Sequence, residues 1–192
     1  AKNKVLDVDL IAVNTDAKQL AILEQAGVQP LQIGESLTKG RGTGGSLELG
    51  ESAAKADEEQ IKAAMKGADL VFVTAGMGGG AGTGAAPVVA RLAKELGILT
   101  IGVVTVPFSF EGARKKRLAN EGIVKLQANM DALIAVQNDN LKKLPENRHM
   151  SLVQAFEEAD NILRQAIRCI AELILTTGVI NVDFADVTSI FR

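Results

Sequence analysis

Residues 69–90 read Asp-Leu-Val-Phe-Val-Thr-Ala-Gly-Met-Gly-Gly-Gly-Ala-Gly-Thr-Gly-Ala-Ala-Pro-Val-Val-Ala. The apolar, β-branched run Leu70–Thr74 is typical of a parallel strand that is buried on both faces. It stops where six glycines fall within the nine residues 76–84, and Pro87 follows where we expect the first turn of a helix to tolerate proline. Glycine lets backbone N–H groups face a bulky anion, and the following helix adds its own unpaired N–H groups. The stretch therefore predicts a strand, a phosphate-binding loop and a helix.

Two other glycine-rich phosphate motifs fit this stretch less well. A lysine-based nucleotide loop is excluded because Gly84 is not followed by Lys-Ser or Lys-Thr. The dinucleotide pattern G-x-G-x-x-A does occur at Gly76, Gly78 and Ala81. However, that pattern needs a carboxylate after the next strand to hold a ribose, and the predicted strand 98–106 ends without one. A dinucleotide-binding oxidoreductase is kept as an alternative interpretation.

The composition limits the class of protein. A chain of 192 residues that is 47% hydrophobic can bury one domain of ordinary size. The net charge of −2, the 3% aromatic content and the absence of Trp and Tyr argue against a nucleic-acid partner. No apolar run approaches the roughly 18 residues of a membrane span, so direct membrane insertion is not expected. The single cysteine, Cys169, is predicted to be buried and inert, and no signal peptide precedes the first strand, which favours the cytoplasm.

Strands and helices are expected to alternate along the chain. The alternation predicts an α/β fold with a doubly wound, mostly parallel, Rossmann-like sheet. Asn14 and Asp16 follow the first strand, where they suit a helix start and a ligand equally well. The segment 34–50 has six glycines and is predicted to be a second mobile loop. The predicted strands are 8–13, 30–33, 70–74, 98–106 and 131–136, and the main helices include one over 51–66 and a single long one over 151–175.

Five motifs in order carry a resemblance to a known family. The run Gly78–Gly84 resembles the signature of the tubulin/FtsZ superfamily, whose loop reads GGGTG followed by Thr or Ser and Gly. Four further segments, 14–17, 40–45, 107–112 and 181–186, follow in the family's order. The chain is therefore identified as similar to the GTP-binding half of the bacterial cell-division members of that superfamily.

The resemblance implies a function and a set of partners. It implies a cytoplasmic GTPase that binds GTP or GDP, with Mg²⁺ held through the phosphates and no metal bound by side chains alone. It also implies head-to-tail polymerisation into the filaments of a mid-cell division ring, with other division proteins as further partners. The implied organisation is a GTP-binding domain over residues 1–150, a core helix over 151–175, and a catalytic loop with the start of another helix over 176–192.

The resemblance also implies roles for individual residues. Glu111 would bind the ribose, Asp160 would accept hydrogen bonds from the guanine edge, and Asn181, Asp183 and Asp186 would position and polarise the attacking water. A helix of about 25 residues would place these acids roughly 35 Å from Asp160, so they would act on the nucleotide of a neighbouring subunit. From spacing alone, Asp183 and Asp186 equally suit a helix cap, and Asp160 suits a solvated helix face. The implied GTP-binding residues are Gly42, Gly44, Gly45, Gly76, Met77, Gly78, Gly79, Gly80, Ala81, Gly82, Thr83, Gly84, Glu111, Lys115, Asn138 and Asp160.

The chain departs from the family pattern in several places. Ala81 stands where the motif usually has threonine, and Thr43 stands where a small residue is more familiar. Lys115 stands where arginine is more common, so it keeps the charge but loses the fork of donors, and either Lys115 takes the role alone or Arg114 substitutes for it. The family's first strand and second domain are not expected within these 192 residues, which indicates a fragment. A non-catalytic assembly protein is therefore a second alternative.

Overall fold

The computed structural model of the chain describes residues 8–143 and 150–175. Parallel strands alternate with helices, which confirms the predicted α/β class. The strands form two parallel groups, β1 with β2 and β3 with β4 and β5 in that order. The strands are β1 (Ile11–Asn14), β2 (Gln29–Gln32), β3 (Leu70–Gly76), β4 (Leu99–Val106) and β5 (Ala132–Gln137). The helices are α1 (Ala17–Gln25), α2 (Glu35–Thr38), α3 (Leu47–Ala56), α4 (Glu58–Ala64), α5 (Gly80–Glu95), α6 (Ala113–Gln127), α7 (Asn138–Leu141) and α8 (Leu152–Leu175), with a 3-10 turn over Ser109–Glu111.

Strand β4 lies at the centre of the three-stranded group, and all of its residues are buried. On one face of this sheet, Val104 and Val106 pack in a cluster that includes Ala86 of α5 and Leu126 of α6. On the other face, Leu99, Ile101 and Val103 pack against one side of α8. Helices therefore cover both faces, which explains why the strand is apolar throughout rather than alternating.

Helices α3 and α5 approach each other so closely that their contact is built from glycine. An added Cβ on Gly84 would lie 2.8 Å from Glu51 N and 3.1 Å from Gly50 C, and it would overlap Leu47 O. In the same way, a Cβ on Gly50 would overlap Gly80 O. Gly80 and Gly84 of the predicted phosphate loop thus have a packing role, because only a hydrogen atom fits between the backbones of α3 and α5.

The predictions for residues 34–66 were partly wrong. The predicted loop 34–50 contains α2 and the start of α3, and the predicted helix 51–66 is two helices that meet at Asp57. The Asp57 carboxylate turns back to accept a hydrogen bond of 2.6 Å from Gly34 N. This long-range bond fixes the break between α3 and α4, and nothing in the helical spacing of the sequence indicates it.

The predicted glycine loop is also shorter than expected. Helix α5 begins at Gly80, so only Met77–Gly79 form a turn, and Pro87 lies inside the helix as its eighth residue rather than in its first turn. The prediction that Pro87 lies in the first turn of the helix was wrong, because the run of glycines before it was interpreted as a loop. Their tight packing against α3 favours a helical backbone here, despite the poor helix propensity of glycine.

Cys169 is exposed, so the prediction that it is buried was wrong. Helix α8 contacts the sheet with a different side, which includes Leu163, Ala166, Ile167 and Ile170. The helix itself runs as one piece from Leu152, as predicted. Along the described residues, no helix is long and apolar enough to cross a membrane.

An ion-pair cluster joins α3 to α6. The Glu51 carboxylate accepts from Lys55 Nζ at 2.7 Å and from Lys125 Nζ at 2.9 Å. Hydrogen bonds from these two lysines, with Lys55 first, lower the pKa of Glu51 to about 2. The ion pair between Glu51 and Lys125 connects α3 to α6, the two helices that lie on either side of α5.

Candidate functional site

The carboxyl ends of β3, β4 and β5 lie together at one edge of the sheet. Their parallel register pairs Gly76 with Thr105 and Val106 with Gln137. The turn Met77–Gly79 follows β3, the 3-10 turn follows β4, and Asn138 follows β5 directly. In open α/β sheets, ligands bind in the crevice at this edge. The predicted phosphate loop and several predicted ligand residues therefore share one location.

The turn Met77–Gly79 leaves an open cradle at the start of α5. Gly78 has φ +97°, its N–H donates to Thr83 Oγ1 at 2.7 Å, and an added Cβ would lie 2.8 Å from Lys115 O. Gly79 caps the helix without a side-chain hydrogen bond, and a Cβ there would meet nothing within 4 Å. The first N–H groups of α5 have no intrahelical partner, and the helix dipole is positive at this end. The cradle can bind an anion through backbone donors.

The predicted glycine residues divide into two roles. Gly78 and Gly79 shape the cradle, whereas Gly80 and Gly84 pack against α3 and the loop before it. The Met77 side chain is buried in the core between the sheet, α5 and α6, so only its backbone can face a ligand. The position of Gly82 in the first turn of α5 leaves its backbone N–H at the cradle.

The segment 40–46 lies beside this cradle. Gly42 N donates to Thr15 O at 3.2 Å, which ties the segment to the end of β1. Gly44 and Gly45 have φ values of +59° and +84°, and an added Cβ on either would meet nothing within 4 Å. Thr43 packs against Gly80 at the start of α5. The structure thus brings the two predicted glycine segments together.

Asn14 and Asp16 serve the local backbone. Asp16 Oδ1 accepts from Lys18 N at 2.9 Å and from Gln19 N at 3.2 Å, so it caps α1. Asn14 Oδ1 accepts from Thr15 N at 2.8 Å. Of the two interpretations that the sequence left open, the helix start is the one that these contacts support.

An aromatic cluster lies beyond β4 and β5. Phe108 stacks on Phe110 with ring centroids 4.9 Å apart, and Phe156 of α8 meets both rings edge-on. Lys142 Nζ lies 4.2 Å from the Phe110 centroid. Phe156 is 43% exposed and stands one helical turn before Asp160, which is also exposed. The sequence does offer a signal for Phe156, because an aromatic side chain four residues before a predicted base-binding acid lies on the same face of the helix.

Asn138 is 4% exposed, and its Oδ1 atom has no hydrogen-bond partner among the described residues. A buried amide oxygen without a partner costs free energy, so such atoms are uncommon away from binding sites. Its neighbour Asp139 has structural contacts, with Oδ1 accepting from Ser109 N at 2.9 Å. Hydrogen bonds from Ser109, followed by the charge of Lys116, hold the pKa of Asp139 below its ordinary value.

Glu111 and Lys115 are paired with each other. Glu111 Oε1 accepts from Phe108 N at 2.8 Å, and Oε2 lies 3.1 Å from Lys115 Nζ. The Glu111 side chain is 13% exposed, while that of Lys115 is 52% exposed. The Lys115 backbone lies beside Gly78 of the cradle, but a ligand would have to compete with the ion pair to engage either side chain.

Three predicted catalytic residues, Asn181, Asp183 and Asp186, lie outside the described residues. The predicted division of the chain at residues 150 and 175 stays a prediction. Over residues 8–143 and 150–175, no group of three or more His, Cys, Asp and Glu side chains is arranged to hold a metal ion.

Sequence comparison finds relatives over almost the whole chain. A family model described as "Tubulin/FtsZ family, GTPase domain" matches residues 3–146. The cell division protein FtsZ of Buchnera aphidicola subsp. Schizaphis graminum is 48% identical over 189 residues, which is 98% of this chain and 48% of that protein. The corresponding protein of Buchnera aphidicola subsp. Acyrthosiphon pisum is 49% identical over the same span. The chain covers about half the length of these curated relatives.

Structural comparison agrees with the sequence comparison. The empty FtsZ dimer of M. jannaschii has a TM-score of 0.86 and 44% identity, and the match covers 94% of this chain and 52% of that chain. The GTPgS-bound protofilament of CetZ2 from Haloferax volcanii has a TM-score of 0.74 and 29% identity, covering 94% of this chain and 53% of that chain.

Proposed function

This chain belongs to the tubulin/FtsZ family, and from that premise we propose that it binds GTP at the carboxyl edge of β3, β4 and β5 and hydrolyses it within a head-to-tail filament. The single observation that carries the proposal is the cradle at Gly78 and Gly79, where α5 begins and a Cβ on Gly79 would meet nothing within 4 Å, so that an anion can approach the first backbone donors of the helix. GDP would occupy the same site after hydrolysis.

The phosphates are assigned to the cradle. The N–H groups of the first turn of α5, which includes Ala81 and Gly82, would donate to phosphate oxygens, and the positive end of the helix dipole would favour the negative charge. The segment 40–46 would cover them from the side through the backbone at Gly44 and Gly45. Mg²⁺ would be bound through the phosphates, where it neutralises charge that develops during phosphoryl transfer.

The guanine base is assigned to the surface between Asn138 and α8. The exposed Asp160 carboxylate would accept from the N1–H and the exocyclic amine of guanine, and adenine presents the opposite polarity at its ring nitrogen. The exposed Phe156 ring, one turn away, offers an apolar face for the base. The unpartnered Oδ1 of Asn138 would gain a donor from the nucleoside.

Hydrolysis is assigned to a junction between two subunits. Asp160 is the ninth residue of α8, so only 15 residues of the helix follow it, and they carry the chain about 22 Å from the base site rather than the roughly 35 Å expected from the whole helix. Asn181, Asp183 and Asp186 would then complete the site of the next subunit in a heterologous contact. The GTPgS-bound protofilament of the 29% identical CetZ2 supports such an arrangement for a relative. In the cell, we place the filament in a mid-cell division ring, together with other division proteins.

Replacing Asp160 with alanine tests the proposed base site. Two hydrogen bonds to an ionised carboxylate are each worth about 1.5–3 kcal/mol, so we expect the Kd for GTP to rise about 100-fold or more. The affinity for ATP should change little, so the preference for guanine should fall by a similar factor. Equilibrium binding of both nucleotides measures this directly.

Glu24→Ala is the matched control, because Glu24 is an exposed carboxylate on α1, away from the sheet edge. It should leave both affinities unchanged. An Asp160→Ala chain that keeps its preference for GTP over ATP would contradict the assignment of the base site.

A further inference from the structure

The Asp139 carboxylate joins the two segments that follow β4 and β5. Its Oδ1 accepts a hydrogen bond of 2.9 Å from Ser109 N, across 30 positions of the sequence. Ser109 is the first residue of the 3-10 turn after β4, and Asp139 is the second residue of α7 after β5. The pairing of the two strands ends at Val106 and Gln137, so this bond continues their connection beyond the sheet.

Both segments carry residues that are assigned to the nucleoside. The turn ends at Glu111, the expected ribose ligand, and α7 begins at Asn138, whose buried Oδ1 has no partner among the described residues. Phe108 and Leu141, next to the turn and at the end of α7, pack together against the part of α8 that immediately precedes Asp160. The position of the turn relative to α7 therefore sets the shape of the proposed site for base and ribose.

Two lysines also lie near the Asp139 carboxylate, but they connect less strongly than Ser109 does. Lys116 Nζ is 3.5 Å from Oδ2 and Lys142 Nζ is 3.7 Å from Oδ1, and the lysine side chains are 45% and 43% exposed. Ion pairs this exposed contribute little. Hydrogen bonds from Ser109 also lower the pKa of Asp139 more than the charge of Lys116 does. The hydrogen bond is thus the main connection between the turn and α7.

Asp131 offers a comparison at the other end of the same two strands. Its Oδ2 accepts a hydrogen bond of 2.8 Å from Thr100 N, across 31 positions, just before β5 begins. Each carboxylate therefore ties the β4 segment to the β5 segment in the same way. Asp139 does so at the carboxyl edge, beside the residues assigned to the nucleoside, and Asp131 does so at the opposite edge.

We propose that Asp139 is a positioning residue for the nucleoside and acts through its hydrogen bond from Ser109 N. The bond holds the 3-10 turn against α7, so that Glu111 and Asn138 are presented to one bound nucleoside. Asp139 does not contact the nucleotide itself, since both of its carboxylate oxygens have partners in the protein. This inference rests on the proposed function and adds a residue that organises the nucleoside half of the site.

Replacing Asp139 with alanine removes the acceptor. The ligand must then hold the turn and α7 together itself, and a lost hydrogen bond to a charged group corresponds to about a tenfold rise in Kd. We expect this rise for guanosine and for GTP alike, because the phosphate half of the site is unaffected. Asp139→Asn keeps an oxygen that can accept from Ser109 N, so both ligands should bind within about threefold of the unchanged chain.

Ser109→Pro tests the same bond from the donor side. Proline has no N–H, and its φ suits the first residue of a 3-10 turn. Phe108 before it has the extended backbone that a following proline requires, with ψ 152°. The variant leaves the Asp139 carboxylate and both lysines in place, and it should weaken guanosine and GTP binding about as much as Asp139→Ala does.

Asp131→Ala is the matched control, because it removes the equivalent carboxylate at the opposite edge of the sheet. It should lower the unfolding free energy about as much as Asp139→Ala and leave both affinities unchanged. Urea denaturation of each variant measures the unfolding free energy, and equilibrium titration with guanosine and GTP measures the affinities. A merely structural role for Asp139 would make the two alanine variants alike in both measurements.

Four results would overturn the inference while leaving the proposed function standing. They are unchanged guanosine affinity in Asp139→Ala or Ser109→Pro, an equal loss in Asp139→Asn, an equal loss in Asp131→Ala, and a loss for GTP that guanosine does not share. A failure of the unchanged chain to bind any guanine nucleotide would instead overturn the proposed function, and this inference with it.

Discussion

The variant Gly84→Ala is expected to lose about 3 kcal/mol of unfolding free energy, although alanine is the better helix former. In an open helix, the substitution would stabilise the chain by up to about 1 kcal/mol. Here the added methyl group would overlap Leu47 O and lie 2.8 Å from Glu51 N, both backbone atoms of α3. Backbone cannot move aside as a side chain can, so α3 and α5 must separate. The loop before α3, which carries Thr43, would be displaced with it.

Urea denaturation of the unchanged chain and of Gly84→Ala measures the difference between their unfolding free energies. Gly79→Ala is the control, because a Cβ on Gly79 would meet nothing within 4 Å and the residue has an ordinary extended backbone with φ −88°. It should stay within about 0.5 kcal/mol of the unchanged chain. If Gly84→Ala were as stable as the unchanged chain, the close α3–α5 contact would be wrong.

The variant Asp186→Ala is expected to bind GTP normally and to lose hydrolysis by a factor of about 100 or more. Positioning and polarising the attacking water is one of the main contributions of a GTPase to the reaction, so its loss affects turnover rather than binding. If the site is completed by a second subunit, the specific activity of the unchanged chain should rise above a threshold concentration. Initial rates of phosphate release, measured against chain concentration, test both statements.

A mixing experiment separates action between subunits from action within one chain. Asp160→Ala keeps the proposed acids but has a weakened base site, whereas Asp186→Ala keeps the base site but lacks one acid. An equimolar mixture should recover activity at junctions where the acids of the first variant meet the nucleotide of the second. A mixture that stays inactive, while the unchanged chain shows constant specific activity at all concentrations, would mean that the acids act within their own chain.

The parts of the fold that the sequence predicts best are those in which one local pattern is sufficient. Strand β4 is a continuous apolar run because helices cover both faces of its sheet, and α8 follows three- and four-residue spacing over its length. The turn at Gly78 and Gly79 was likewise predictable, since few other functions need so many glycines after a buried strand.

The parts that the sequence does not predict depend on contacts between distant residues. The start of α5 at Gly80 is set by α3, whose Gly50 lies 30 positions earlier, and the break at Asp57 is set by its bond to Gly34. The exposure of Cys169 depends on which side of α8 faces the sheet.

The central claim is that guanine nucleotide binds at the carboxyl edge of β3, β4 and β5. Titration of the isotope-labelled chain with GTP, followed by amide NMR shifts, tests it most directly. We predict that the shifts concentrate at Thr43, Gly78, Gly79 and Asp160, that ATP at the same concentration causes much smaller changes, and that Thr100 at the opposite edge is unaffected. Shifts centred on the opposite edge, equal responses to GTP and ATP, or no response to GTP would contradict the claim.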